Sequence, residues 1–177
     1  MGYITEEEID DIFCCTITKI VDENTDLSEY DFNCGVSEYD LFLKNDAKKL
    51  SMFNIGQTHL LIHKDTGILL GYITLCSDCI KLSKREKQKH LLEDISFMYL
   101  PSLKVGKLAT NKEIIKEYNK TNDIKLPSKI GSFLLEYAKV ILDEINEGDT
   151  TGVACRFITV DADVEHNKEN EQFYIDN

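Results

Sequence analysis

The stretch LPSKIGSFLLEYAK, Leu126 to Lys139, decides how this chain folds. A proline-bounded loop with one glycine, Gly131, runs into an apolar pattern at Ile130, Phe133, Leu134, Tyr137, Ala138, Ile141, Leu142 and Ile145. That spacing has the 3.6-residue period of an amphipathic helix and predicts one over Ile130 to Ile145. Leu103 to Ala109 reads as a strand before it, and Gly152 leads into a strand over Val153 to Val160 after it. A helix N-terminus carries unpaired N–H groups and a positive dipole end. Ile130, Gly131, Ser132 and Phe133 would aim theirs toward the preceding strand, and such a nest can hold a pyrophosphate without a metal. It is not a P-loop, since G-x-x-x-x-G-K-[ST] is absent. From these residues alone the anion-site signal is weak, and an ordinary structural helix start is the commoner case.

Working outward, Ile12 to Val21 reads as a strand from its β-branched residues. Phe32-Asn33-Cys34-Gly35 reads as a turn, and Ser37 with Asp40 as a capping box opening a helix with Leu41, Phe42, Ala47 and Leu50 on one side. Thr58 to His63 and Ile68 to Cys76 flank Lys64-Asp65-Thr66-Gly67 as a hairpin. Lys81 to Leu92 reads as a polar helix, Gly106 as a bulge or close approach, Asn111 to Lys125 as a polar, partly helical insertion, and Lys168 to Tyr174 as a last helix. The order of elements predicts an α/β (α+β) mixed sheet with helices packed on it. With no internal repeat or Pro/Gly linker, residues 1–177 read as a single domain.

The formal net charge is -12, which argues against a general nucleic-acid binder. Its distribution is uneven: residues 1–50 carry 4 basic and 13 acidic side chains, residues 81–129 carry 12 and 6, and residues 130–177 carry 3 and 11. An anionic ligand at Leu126–Lys139 would gain from the basic section beside it. No apolar run is long enough for a transmembrane helix, and the start MGYITEEEIDD is acidic where a secretory signal is basic. A cytoplasmic protein with no membrane partner is expected. Of six cysteines only Cys76 and Cys79 form a C-x-x-C, with no second pair to complete a zinc site. No metal is expected, and the thiols read as reduced.

Several segments, in order, resemble the GCN5-related N-acetyltransferase (GNAT) superfamily, in particular its toxin-like branch. Phe32-Asn33-Cys34-Gly35 followed by Leu41-Phe42-Leu43 and Ala47 resembles the branch's start, and Gly71-Tyr72-Ile73-Thr74-Leu75 its G-Y-x-x-L strand. Gly106-Lys107-Leu108-Ala109-Thr110 resembles G-R-L-A-V, Ile130 to Leu135 the second half of the [QR]-x-x-G-x-[GA] pyrophosphate loop, and Asn167 to Phe173-Tyr174 the closing N-x-x-A-x-x-F-Y. The resemblance spans Leu27 to the end. It implies a mixed, mostly antiparallel central sheet flanked by helices, the acyl-CoA N-acyltransferase fold. It also implies acetyl-CoA as cosubstrate and transfer of its acetyl group to a primary amine by direct attack in a ternary complex.

Carried over position by position, the resemblance puts pantetheine on the backbone of Leu108, Ala109 and Thr110. It puts the pyrophosphate on the amides of Lys129, Ile130, Gly131, Ser132 and Phe133. Tyr174 becomes the acid that protonates the departing thiolate; from the residues alone an aromatic packed on the sheet is the preferred reading. Asn167 is either a hydrogen bond to the cofactor or a helix N-cap. His59 and His63 receive no role, and no general base stands out. Departures stand against the pattern: Asn111 to Lys125 is longer than the usual connection and Asn170 stands where alanine is usual. Leu126 replaces Gln or Arg, Lys129 replaces a glycine, and the chain stops at Asn177 where a Gly-Phe and a further strand are usual. A missing strand would expose a sheet edge and invite a homodimer. The altered loop motivates an alternative: a catalytically inert domain that binds CoA or a partner. A third reading is an acetyltransferase toxin held by an antitoxin and acting on aminoacyl-tRNA. The acidic surface disfavours tRNA and suits a cationic amine, on a small molecule or a protein.

Overall fold

The computed structural model describes residues 4–147, 153–163 and 170–177. The chain opens with a helix, α1 (Glu6–Cys15), followed by β1 (Thr16–Ile20). The first part of the strand expected over Ile12 to Val21, Ile12 to Cys15, is therefore helical, while Thr16 to Ile20 form the strand. The signal was Thr5-x-x-Glu8: the Thr5 hydroxyl accepts the Glu8 N–H, and the Thr5 N–H donates to Glu8 Oε2 at 2.9 Å. This reciprocal capping box satisfies two otherwise orphaned donors. The box expected at Ser37 and Asp40 does not form. Val36 is the N-cap of α2 (Ser37–Asn45) without a side-chain bond, and Asp40 accepts the Cys34 N–H at 3.0 Å instead.

After α3 (Ala47–Met52) come β2 (Gln57–His63) and β3 (Leu69–Lys81), the expected hairpin, with Gly67 at φ +68° in its turn. Of the helix expected over Lys81 to Leu92 only α4 (Lys84–Lys89) forms. Then follow β4 (Tyr99–Thr110), α5 (Lys112–Thr121), α6 (Ile130–Glu147), β5 (Phe157–Val160) and α7 (Asn170–Asp176). The strand expected from Val153 begins only at Phe157. The sheet order is β1-β2-β3-β4-β5. All pairings are antiparallel except β4 with β5, whose parallel crossover runs through α6. Among the described residues no helix is long and apolar enough to cross a membrane.

Helices cover both faces of the sheet, so its central strands alternate between two cores rather than between core and water. Leu61, Leu70, Ile73, Leu103 and Val105 face α1 and α6, whose Ile12, Ile130, Phe133, Leu134 and Ala138 complete that core. Leu60, Ile62, Leu69, Tyr72 and Ala109 face α2 and α3, with Phe32, Leu43 and Ala47. Leu134 is 1% exposed; truncating it to alanine would cost about 2–5 kcal/mol. The fully buried Asn111 ties the two sides of the fold together at the end of β4. Its amide donates to the Asp31 and Leu69 carbonyls and accepts the Asn33 N–H, all at 2.7–2.8 Å. That fixes the loop leading into α2 beside the site described next.

Candidate functional site

Three elements meet where β4 and β5 part. Their parallel pairing runs from Ser102 opposite Phe157 to Val105 opposite Val160. Beyond Val105, among the described residues, β4 pairs with β3 alone: Lys107 opposite Thr74, Leu108 opposite Ile73, Ala109 opposite Tyr72 and Thr110 opposite Gly71. Among the described residues one edge of β4 is left open, with main-chain donors and acceptors able to pair with an extended amide-bearing ligand. Gly106 is the extra residue of a β-bulge at this point, since Thr74 pairs with Lys107 and Leu75 with Val105. A one-residue slip exchanges the faces of every residue after it. Val105 and Leu108 therefore both lie on the α6 side, while Lys107 turns to the α2 side. Without the bulge the Lys107 ammonium would point into the α6 core.

The N-terminus of α6 abuts the end of this open edge. A Cβ built on Gly131 would lie 3.7 Å from Thr110 Cγ2 and 3.1 Å from Phe173 Cζ of α7. The first backbone bond of the helix in this turn runs from the Phe133 N–H to the Lys129 carbonyl at 3.0 Å. The amides of Ile130, Gly131 and Ser132 precede it, as the unpaired donors of a helix start do. The side chains of Ile130 and Phe133 are in the core, so these residues meet the opening through their backbone. Leu108 is half-buried, Ala109 buried, and Thr110 half-buried.

Both departures in the loop have a structural account. Lys129 stands at φ +57°, so the left-handed turn that glycine makes cheaply is made here by lysine. Its ammonium is not confined to the mouth of the loop: it pairs with Glu8 Oε2 of α1 at 2.8 Å. The lysine beside it holds the Glu8 carboxyl below the usual range, helped by the Thr5 backbone bond. Leu126 is 4% exposed and belongs to the α6-side core. Asn119 of the inserted α5 holds it by both backbone groups, accepting its N–H at 2.7 Å and donating to its carbonyl at 3.2 Å.

On the far side of Gly131, Phe173 and Tyr174 pack ring to ring at 5.1 Å. Burial, and then the negative charge of Asp163, push the Tyr174 phenol above its ordinary value. It stays a proton donor at neutral pH. The structure thus brings Leu108, Ala109, Thr110, Lys129, Ile130, Gly131, Ser132, Phe133 and Tyr174 into one region; Asn167 lies outside the described residues. Sequence reasoning missed Glu8, Tyr39, Lys107 and Asp163. The Tyr39 hydroxyl donates to Asp163 Oδ2 at 2.9 Å, and the Lys107 ammonium sits 4.5 Å over the Tyr39 ring while bonding Glu38 Oε1 at 2.5 Å. Only the Thr5–Glu8 pattern was legible beforehand; the other contacts join distant positions. Cys76 and Cys79, three apart on β3, fall on opposite faces of the strand. No cluster of metal-ligating side chains forms among the described residues.

No family model matches the sequence, and no curated protein matches it. Solved structures do match its fold. AtaT in complex with acetyl-methionyl-tRNAfMet superposes with a TM-score of 0.63 at 22% identity, over 90% of this chain and 84% of that one. A tyrosine-to-phenylalanine variant of KacT gives 0.62 at 24% identity, over 91% and 84%. AtaTR bound with acetyl-CoA gives 0.61 at 23% identity, over 92% and 84%. The chain has the GNAT fold of these proteins, with its mixed, mostly antiparallel sheet.

Proposed function

We propose that this protein is an acetyl-CoA-dependent N-acetyltransferase that moves the acetyl group to a primary amine by direct attack within a ternary complex. The carrying observation is the coincidence of the open β4 edge, Gly106 to Thr110, with the N-terminus of α6 at Gly131. An acyl-CoA has the matching chemistry: an extended arm with two amides, then a pyrophosphate. The arm pairs with Leu108, Ala109 and Thr110 as an added strand would. The pyrophosphate takes the amides of Ile130, Gly131 and Ser132 and the positive end of α6. Lys129 shapes the turn through its backbone angle; the Phe133 amide is already used in the helix.

When bound, acetyl-CoA supplies the activated acetyl group and a thiolate leaving group. Tyr174 donates its phenolic proton to that sulfur, which the raised phenol retains until it is needed. Positioning of amine and thioester at one opening supplies much of the acceleration. The test is thiol release from acetyl-CoA with spermidine, a lysine-bearing peptide and methionyl-tRNA as acceptors. Release with at least one acceptor, reduced about 10²-fold or more by Tyr174→Phe with unchanged acetyl-CoA affinity, is expected. Tight binding with no release over any amine would instead establish an inert CoA-binding domain. An unchanged rate in Tyr174→Phe would remove the acid role.

Among acceptors, the net charge of -12 supports a cationic amine. A second reading, aminoacyl-tRNA, is favoured by the AtaT complex with acetyl-methionyl-tRNAfMet. The basic section over residues 81–129 contributes the lysines of α5, next in sequence to the open edge. Release with methionyl-tRNA that falls steeply with salt would select this reading. The same kinship supports an antitoxin partner, as in AtaT bound to the C-terminus of AtaR. Growth arrest on expression, relieved by a co-expressed neighbouring gene, tests it.

A further inference from the structure

We propose that the lysine row of α5, Lys112, Lys116 and Lys120, is the subsite for the 3′-phosphate of coenzyme A; this subsite rests on the acetyl-CoA reading above. Two parts of that cofactor have their place there, the pantetheine arm along β4 and the pyrophosphate at α6. The ribose carries a third anionic group, a phosphate monoester with a charge of about −1.5 to −2 at neutral pH. Ionised donors recognise such a group best.

The helix α5 is fastened to both halves of the cradle. It begins two residues after Thr110, the end of the open edge, from the fully buried N-cap Asn111. Near its other end Asn119 holds both backbone groups of Leu126, three residues before Lys129. Ile115 and Tyr118 pack against the core that α6 completes. The helix is therefore tied to the strand edge at one end and to the loop before α6 at the other.

Asn119 marks the side of α5 that faces this loop. At about 100° per residue, Lys112, Lys116 and Lys120 follow it at about 20°, 60° and 100° round the helix, away from the core side of Ile115 and Tyr118. Glu113 and Glu117 come only after them, at about 120° and 160°. The first charges met from the loop are therefore positive, and lysines four apart share one face. Of the lysines between Thr110 and Gly131, two are committed elsewhere. Lys125 donates to the Asn119 and Asn122 carbonyls at the end of α5, and Lys129 pairs with Glu8. Among the described residues Lys112 and Lys120 form no ion pair, and Lys116 meets Glu113 only at 3.8 Å, with both side chains exposed. Exposed pairs of this kind contribute little, so its ammonium can turn to a phosphate.

Calorimetry on the full-length protein with acetyl-CoA and acetyl-dephospho-CoA tests the subsite, since the second ligand lacks only the 3′-phosphate. The wild type should bind the dephospho form about 10-fold or more weakly, with the gap narrowing as salt rises. Lys112→Gln, Lys116→Gln and Lys120→Gln combined should bind both forms alike, at the wild-type affinity for the dephospho form. That retained affinity also shows the variant folded. Removing as much charge from α4, by Lys84→Gln, Arg85→Gln and Lys89→Gln, should keep the wild-type gap; losing it there too would reduce the subsite to a general charge effect and overturn it. Equal binding of both forms by the wild type overturns the subsite and leaves the acetyl-CoA reading standing. An α5 triple variant that keeps the gap does the same, and if it loses turnover of methionyl-tRNA alone, the row serves nucleic acid instead. Binding of neither form by the wild type overturns the cosubstrate reading and this subsite with it.

Discussion

At Lys129 the backbone turns through φ +57° with a side chain attached, while the ammonium reaches 121 positions back in the sequence to Glu8. Replacing lysine by glycine or by alanine removes the ion pair equally but differs at Cβ. The left-handed penalty of about 1–2 kcal/mol falls on alanine, and unfolded-chain entropy returns about 0.4–1 kcal/mol. Lys129→Gly should therefore be ~1 kcal/mol more stable than Lys129→Ala in urea melts, and equal midpoints would show the turn unstrained. Glu8 gives a pH dependence with a definite sign. Its folded carboxyl is held down, first by Lys129, so its contribution is present above the unfolded value of about 4.3 and is lost as pH falls through the folded value. Glu8→Gln should be less stable than wild type at neutral pH, with the gap closing as the pH drops below about 4. A gap constant down to pH 3 would contradict the assignment.

At the scale of elements, β4 and α6 crowd β3 so closely at Gly71 that a Cβ there would lie 2.8 Å from the Ala109 carbonyl oxygen of β4 and 3.0 Å from Ile130 Cγ2 of α6. Backbone cannot yield as a flexible side chain does, so Gly71→Ala should cost about 1–3 kcal/mol. Its displacement falls on Ala109 and Ile130, two parts of the proposed cofactor cradle. Thermal melting and acetyl-CoA affinity should therefore drop together; a variant with wild-type values of both would refute the close fit. The helix α6 was readable from its periodicity, and the hairpin β2–β3 from its turn residues. The helix α1 was misread because Ile12, Thr16, Ile17, Thr18 and Ile20 look like one β-branched run, although the Thr5–Glu8 cap marks a helix start. Gly106 was legible as an irregularity. That the bulge sorts Lys107 from Val105 and Leu108 could be known only from the pairing with β3.

Across the whole molecule, the charge is segregated along the chain, with a basic middle section between two acidic ones. The site draws on all three: Glu8 and Tyr39 from the first, Lys107 and Lys129 from the second, Asp163 and Tyr174 from the third. A ligand that bridges β4 and α6 should stabilise the fold as a unit. At a hundred times its dissociation constant acetyl-CoA would add about 2.7 kcal/mol. For a chain of this length that corresponds to a rise in Tm of ~5–10 °C. No rise at millimolar acetyl-CoA would argue against the cradle and leave the fold without its proposed cosubstrate.

What the sequence determined by itself is the set of features whose physics is local. The 3.6-residue period of Ile130 to Ile145, the turn residues of the hairpin, and the uneven charge are all written within a few neighbouring positions. They suffice for the helices and strands that flank the opening. What only the tertiary structure decided is the site's chemistry: the parting of β4 from β5 after Val105, the Glu8 partner of Lys129, and the Tyr39 hydroxyl on Asp163 across 124 positions. These contacts depend on how the two cores close on either face of the sheet. No local propensity encodes a hydrogen bond between residues that the chain brings together only once it has folded.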